Sequence, residues 1–120
     1  MKKSKECFIK KYIYYAVKIQ KAALKNDTIT NNMYARKLNK LVIQYENEDY
    51  FSEALSELMD NDNLEIESDA ASDSLRKNVN IDKAVRILEE ISNKKDAGII
   101  GFSSGIALKK WREKGAEGLK

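Results

Sequence analysis

An all-α domain is the fold class this sequence predicts, and three observations carry the prediction. Apolar residues recur at spacings of three and four along almost the whole chain. None of the 120 residues is proline, so no helix is interrupted by that route. Short polar stretches rich in Asn and Asp separate the periodic segments, as turns require. The 42% hydrophobic content is too high for a disordered chain. The length suits one domain, taken as residues 1–120, with a tail expected to fray after about residue 115.

Phe8, Tyr12, Tyr15 and Ile19 lie four, three and four residues apart. With Ile9, Ile13, Ala16, Ala22 and Ala23 they predict a first helix near residues 4–25, stopped by Asn26-Asp27. Caps in the stretch Thr28–Asn32 lead to a second helix near 31–46, carrying Tyr34, Leu38, Leu41 and Tyr45. A third helix is expected near 48–60 on Phe51, Leu55, Leu58 and Met59. The polar run Asp60–Asn63 separates it from a fourth near 64–77, with Leu64, Ala70, Ala71 and Leu75. Asn78-Val79-Asn80 breaks the pattern again, with Asn80 as the expected N-cap of a fifth helix near 81–93. The sixth, near 99–114, carries Phe102, Ile106 and Trp111. Its Gly101 and Gly105 each cost about 1 kcal/mol unless another helix packs closely there. Six short helices with short links imply stacked helix hairpins.

Two absences narrow the chemistry. There is no histidine, which removes the commonest general base and metal ligand. Cys7 is the only cysteine, so no internal disulfide forms, and beside Phe8 it reads as a small apolar residue. No catalytic residues are assigned, and the chain is not expected to be an enzyme. Asp60, Asp62 and Asp69 lack the glycine and terminal glutamate of a calcium loop, so no metal or cofactor is expected. No apolar run approaches the roughly 20 residues that cross a bilayer, and no signal segment is evident. A cytoplasmic location without membrane contact follows as the expectation.

Ala54-Leu55-Ser56-Glu57-Leu58-Met59, then Asp62-Asn63, Ala70-Ala71 and Leu75, resembles one HEAT-type repeat. Asp82-Lys83-Ala84-Val85 with Leu88-Glu89-Glu90-Ile91 resembles the next. The ending Gly101-Phe102, Ala107-Leu108, Trp111 and Gly115 is more particular. With Asn26-Asp27 and Asn31-Asn32 it resembles a bacterial family of small HEAT-like proteins, a domain of unknown function. The likeness spans roughly residues 6–115. It departs at Ile66-Glu67, where HEAT-type repeats often carry Val-Arg, so no role of that arginine carries over. The resemblance implies a stack of HEAT-like helical hairpins and leaves activity open.

The net charge of +3 conceals a segregation. Residues 1–46 hold eleven Lys/Arg against three acids, residues 47–75 hold ten acids and no base, and residues 76–120 hold eleven bases against six acids. Within the acidic middle, Asp49, Glu53 and Glu57 are four apart, as are Glu65, Asp69 and Asp73. Each set is expected to form a row on its helix. Like charges at that spacing destabilise a helix by about 0.2–0.5 kcal/mol per pair.

The rows are either solvated and neutralised by this chain's own cations, or they form a docking surface for a basic partner. The second alternative gives the functional expectation: a non-catalytic protein-binding module, in its sharpest form an immunity- or antitoxin-like protein holding a basic effector. Its binding residues would be Asp49, Glu53, Glu57, Glu65, Asp69 and Asp73, with Tyr50 as an exposed anchor. Tyr14 is also expected at the surface, whereas Tyr12, Tyr15, Tyr34, Tyr45, Phe51, Phe102 and Trp111 fall on apolar stripes and are assigned to the core. A helical adaptor binding a peptide or helix is the alternative. Nucleic-acid binding through Lys10, Lys11, Lys18, Lys21 and Lys25 of the first helix ranks below both, because arginines and base-reading motifs are missing there. Oligomeric state has no signature in the sequence.

Overall fold

A computed structural model describes residues 3–119 and contains six α-helices: α1 (Lys5–Leu24), α2 (Thr28–Tyr45), α3 (Phe51–Leu58), α4 (Leu64–Arg76), α5 (Ile81–Ser92) and α6 (Gly98–Lys114). There is no strand among the described residues. The tail expected to fray instead closes as a 3-10 helix, Gly115–Leu119. The chain divides into two compact units, one ending at Ala54 and the other beginning at Leu55.

In the first unit α1 and α2 pack against each other across a link of only Lys25, Asn26 and Asp27. Asn26 has φ 56°, a left-handed backbone that asparagine tolerates better than most residues. That turn lets the Asn26 amide donate to the Ala23 carbonyl at 3.1 Å and the Asp27 amide to Ala22 at 2.9 Å. Together these bonds form a Schellman closure of α1. The Asp27 side chain then accepts from the Thr30 amide at 3.1 Å and caps α2. The second helix therefore begins one turn earlier than the expected residue 31. Its cap is the residue that also closes the first.

The core of this unit is aromatic. Phe8 is fully buried, with ring centroids of Tyr45 at 5.1 Å and of Tyr12 and Phe51 at 5.8 Å. Each pair lies within the range where tilted and edge-on rings attract. Burial of a side chain like Phe8 contributes about 1.5–3 kcal/mol. Tyr15 and Tyr34, assigned to the core from spacing, are only half-buried.

In the second unit α4, α5 and α6 contact one another pairwise, and the terminal 3-10 helix packs on α4 and α6. Asn63 caps α4 through the Glu65 and Ile66 amides at 3.0 and 3.2 Å. Asn78, with φ 58°, closes α4 through a second Schellman pattern, in which the Val79 amide donates to Ser74 at 2.9 Å. Asn80 stands before α5, but its backbone is left-handed and its side chain makes no capping bond, unlike the expectation. Ile87, Leu88 and Ile91 of α5 are buried with Ile66 and Leu75 of α4.

The largest departure from the sequence pattern is α6. Spacing put Phe102 and Ile106 in the core, yet Phe102 is 71% exposed and Ile106 38%. The buried face is Gly101, Ser104 and Leu108 instead. Ser104 and Ser68 share a hydrogen bond of 2.7 Å between their hydroxyls, out of solvent. A Cβ on Gly101 would lie 3.2 Å from the Ile91 carbonyl oxygen and 3.0 Å from the Ala97 Cβ. Small residues bring α6 close to α4 and α5, and the bulky ones are left on the far side.

The two α6 glycines are therefore not equivalent. Gly101→Val is expected to destabilise the fold by about 1–3 kcal/mol through overpacking. At Gly105 a Cβ meets only the Ser92 Cβ, at an ordinary 3.5 Å, so Gly105→Ala is expected to stabilise by up to about 1 kcal/mol. Urea unfolding followed by circular dichroism measures both. Equal effects of the two substitutions would contradict the packing described.

Candidate functional site

The acidic rows do not emerge as two open helix faces. Asp49 lies in the turn before α3, because the polar run Glu46–Asp49 has no apolar residue to hold a helix against a core. Glu53 is exposed but its carboxylate pairs with Lys5 at 3.2 Å. Glu57, one turn further along α3, is exposed. Tyr50 is not an exposed anchor. Its hydroxyl is buried and unbonded, and burial, with Glu48 and Asp49 nearby, holds its acidity below that of an ordinary phenol.

The α4 row is not open: Asp73 is buried, and Glu65 and Asp69 are half-buried. Asp73 is 6% exposed and ion-paired with Arg76 one turn on. Asp69 is partly buried; desolvation, reinforced by the Glu65 carboxylate and opposed by Arg76, pushes its carboxyl up to about 7. Desolvation raises Glu65 as well. The cause is legible in α4 itself. Ile66, Ser68, Ala70, Ala71, Asp73, Ser74 and Leu75 are all buried, so the helix is enclosed around most of its circumference and cannot present an acidic face. Beyond this row, Asp60 pairs with Lys83 at 2.9 Å, and the same ammonium donates to the Ser56 carbonyl and hydroxyl at 3.0 Å. Of the six carboxylates proposed to dock a partner, only Asp49, Glu53 and Glu57 are exposed.

A different surface is open. Ile99, Phe102 and Ile106, three and four residues apart on α6, are 83%, 71% and 38% exposed. They form one apolar ridge. Ile106 also borders a hollow of about 290 Å³ lined by Ser103, Ala107, Lys110, Gly118 and Leu119. Exposed Lys109 and Lys110 follow Ile106 by three and four positions on α6, and Lys110 lines the hollow, with the exposed carboxylate Glu113 one turn further on. Sequence reasoning passed over the ridge because it took the bulkiest residues of α6 for its inner face. Gly101 and Ser104, also three apart, were the signal that the small face could be the inner one.

No family model matches this chain, and no curated protein or solved structure matches it. No group of three or more Asp, Glu or Cys side chains among the described residues could hold a metal ion. None of the described helices is long and apolar enough to cross a membrane.

The Asp69 environment sets a pH dependence. Its carboxyl sits near 7 in the folded chain and near 3.8 when unfolded, so the native state holds the proton more tightly. Stability from this group is greatest below pH 4 and declines as pH rises toward 7. Asp69→Asn, which mimics the protonated form, is expected to remove this decline and to raise stability at pH 8 by at most about 4 kcal/mol. Urea midpoints of both proteins between pH 4 and 8 test this. A constant difference across that range would show that Asp69 does not titrate there.

Proposed function

We propose that this protein is a non-catalytic protein-binding module whose docking surface is the α6 ridge. The carrying observation is the exposure of Ile99 and Phe102, which leaves two large apolar side chains in water beside Ile106 on one helix face. A clustered apolar patch of this kind marks an interaction surface more often than scattered exposed residues do. Aromatic and aliphatic anchors that project from a rigid helix commonly dominate the energy of an interface. The neighbouring hollow accepts a side chain from the other protein, and Lys110 in its lining, with exposed Lys109 beside it in sequence, favours an acidic partner segment.

This reading revises the basic effector inferred from the carboxylate rows, since the α4 row is enclosed. It retains the broader idea of a small module that works by capturing one protein, as immunity- and antitoxin-like proteins do. The lack of histidine, the commonest general base, supports the non-catalytic part of that idea.

The test places a photo-crosslinking residue at Phe102 in cells, with the exposed Arg86 of α5 as the control position. A discrete adduct with an acidic protein is expected at 102 and not at 86. Ile99→Asp combined with Phe102→Asp should lower capture of that protein at least about tenfold while leaving helicity unchanged. No adduct at 102, the same adducts at both positions, or an adduct only with a second copy of this chain would overturn the proposal.

A further inference from the structure

The α1–α2 hairpin carries a second surface, independent of the α6 ridge. A groove of about 120 Å³ runs between these helices, lined by Lys11, Tyr15, Lys37, Lys40, Leu41 and Gln44. A larger hollow of about 460 Å³, lined by Met33, Arg36, Lys37, Asn39 and Lys40, adjoins it. The two share Lys37 and Lys40, so they form one strip. Neither is lined by a carboxylate. None of Lys11, Arg36, Lys37 and Lys40 is in an ion pair with another described residue. Arg36 and Lys40, four apart on α2, repel each other unless an anion lies between them.

Aromatic rings flank the strip. Tyr15 has its centroid 6.0 Å from that of Tyr34 and 5.8 Å from that of Tyr14, and Tyr14 is 6.3 Å from Tyr34. Tyr14 is 53% exposed, and the Lys18 ammonium lies over its ring at 5.4 Å. Tyr15 and Tyr34 are half-buried rather than enclosed in the aromatic core. A row of unneutralised cations beside partly open rings is the combination that binds a polyanion carrying flat apolar groups.

We infer that the Lys11–Lys37–Lys40 groove and the adjoining Tyr14, Tyr15 and Tyr34 rings bind single-stranded nucleic acid. The lysines hold phosphates and a base stacks on the tyrosines. The groove's lysines act as point charges on phosphate, and every base offers a flat face to a tyrosine, so recognition is tolerant of sequence. A duplex keeps its bases stacked internally and offers the rings nothing, so it binds less well than a single strand. Lys18 moves off the Tyr14 ring when a base arrives. An acidic polypeptide satisfies the charges but leaves the rings unused.

Fluorescence anisotropy of a labelled 20-nucleotide thymidine strand, titrated with the full chain, tests the inference. Binding is expected to weaken steeply with salt. Lys37→Glu with Lys40→Glu should lower affinity at least tenfold and flatten the dependence of log affinity on log salt by about 1.4, as expected for two lost phosphate contacts. Tyr14→Ala, at an exposed position, should weaken binding several-fold with the salt dependence unchanged. Lys94→Glu with Lys95→Glu, on the loop before α6, should leave affinity as it was. Lack of binding at low salt, equal binding of polyglutamate of matched charge, or an unaltered affinity of Tyr14→Ala would each overturn it. None of these outcomes bears on the crosslinking experiment at Phe102, so the two surfaces succeed or fail separately.

Discussion

The second unit depends on how closely α6 lies to its neighbours. Gly101 leaves no room for a side chain between α6 and the Ile91 carbonyl, and the Ser68–Ser104 hydroxyl pair joins α6 to α4 at 2.7 Å. A buried hydroxyl pair contributes only about 0.5–1.5 kcal/mol net, but either hydroxyl left alone there costs more than that. The contact therefore fixes orientation more than it adds stability. Once Gly101 and Ser104 face inward, helical geometry leaves Ile99, Phe102 and Ile106 no choice but to face outward. The exposed ridge and the tight interior contact are two sides of one packing decision.

A comparable enclosure governs the charges of α4. A helix contacted by α5, α6 and the terminal 3-10 helix has little open circumference, and its small residues permit the contact. Acids on such a helix must be compensated or neutral. Asp73 takes the first route through Arg76, and Asp69 takes the second by holding its proton to near neutrality. Both are costly arrangements relative to an apolar side chain of the same size. The first unit differs. Lys10, Lys21, Arg36, Lys37 and Lys40 of α1 and α2 are exposed, and the core is filled by Phe8, Tyr12, Tyr45 and Phe51.

The helices were legible in the sequence because their periodicity and their Asn and Asp punctuation agree. Helices α4 and α5 begin where the pattern placed them, and Phe8, Tyr12, Leu55, Leu88 and Ile91 are buried as spacing implied. The site was much less legible. Spacing assigns residues to a common face but not to the inside or the outside. For α6 the choice turned on side-chain size, a matter of how near two backbones can come. For Glu65, Asp69 and Asp73 the common face was right and its exposure wrong, since enclosure by other helices has no local signature. Asp49 failed for a simpler reason: four successive polar residues do not sustain a helix, and α3 starts only at Phe51. Asn80 shows the limit of residue identity as a guide. Asparagine serves equally as a cap and as a left-handed turn residue, and here its backbone takes the second role.

Asp27 sits in two hydrogen-bonded closures, with its amide ending α1 and its carboxylate opening α2. Neither helix can lengthen or unwind past the link without disturbing the other, so the hairpin has almost no slack. Its partners are near in sequence, and the entropy lost on bringing them together is small. The α1–α2 pair is thus placed to assemble early as the chain folds, ahead of contacts that must wait for distant segments.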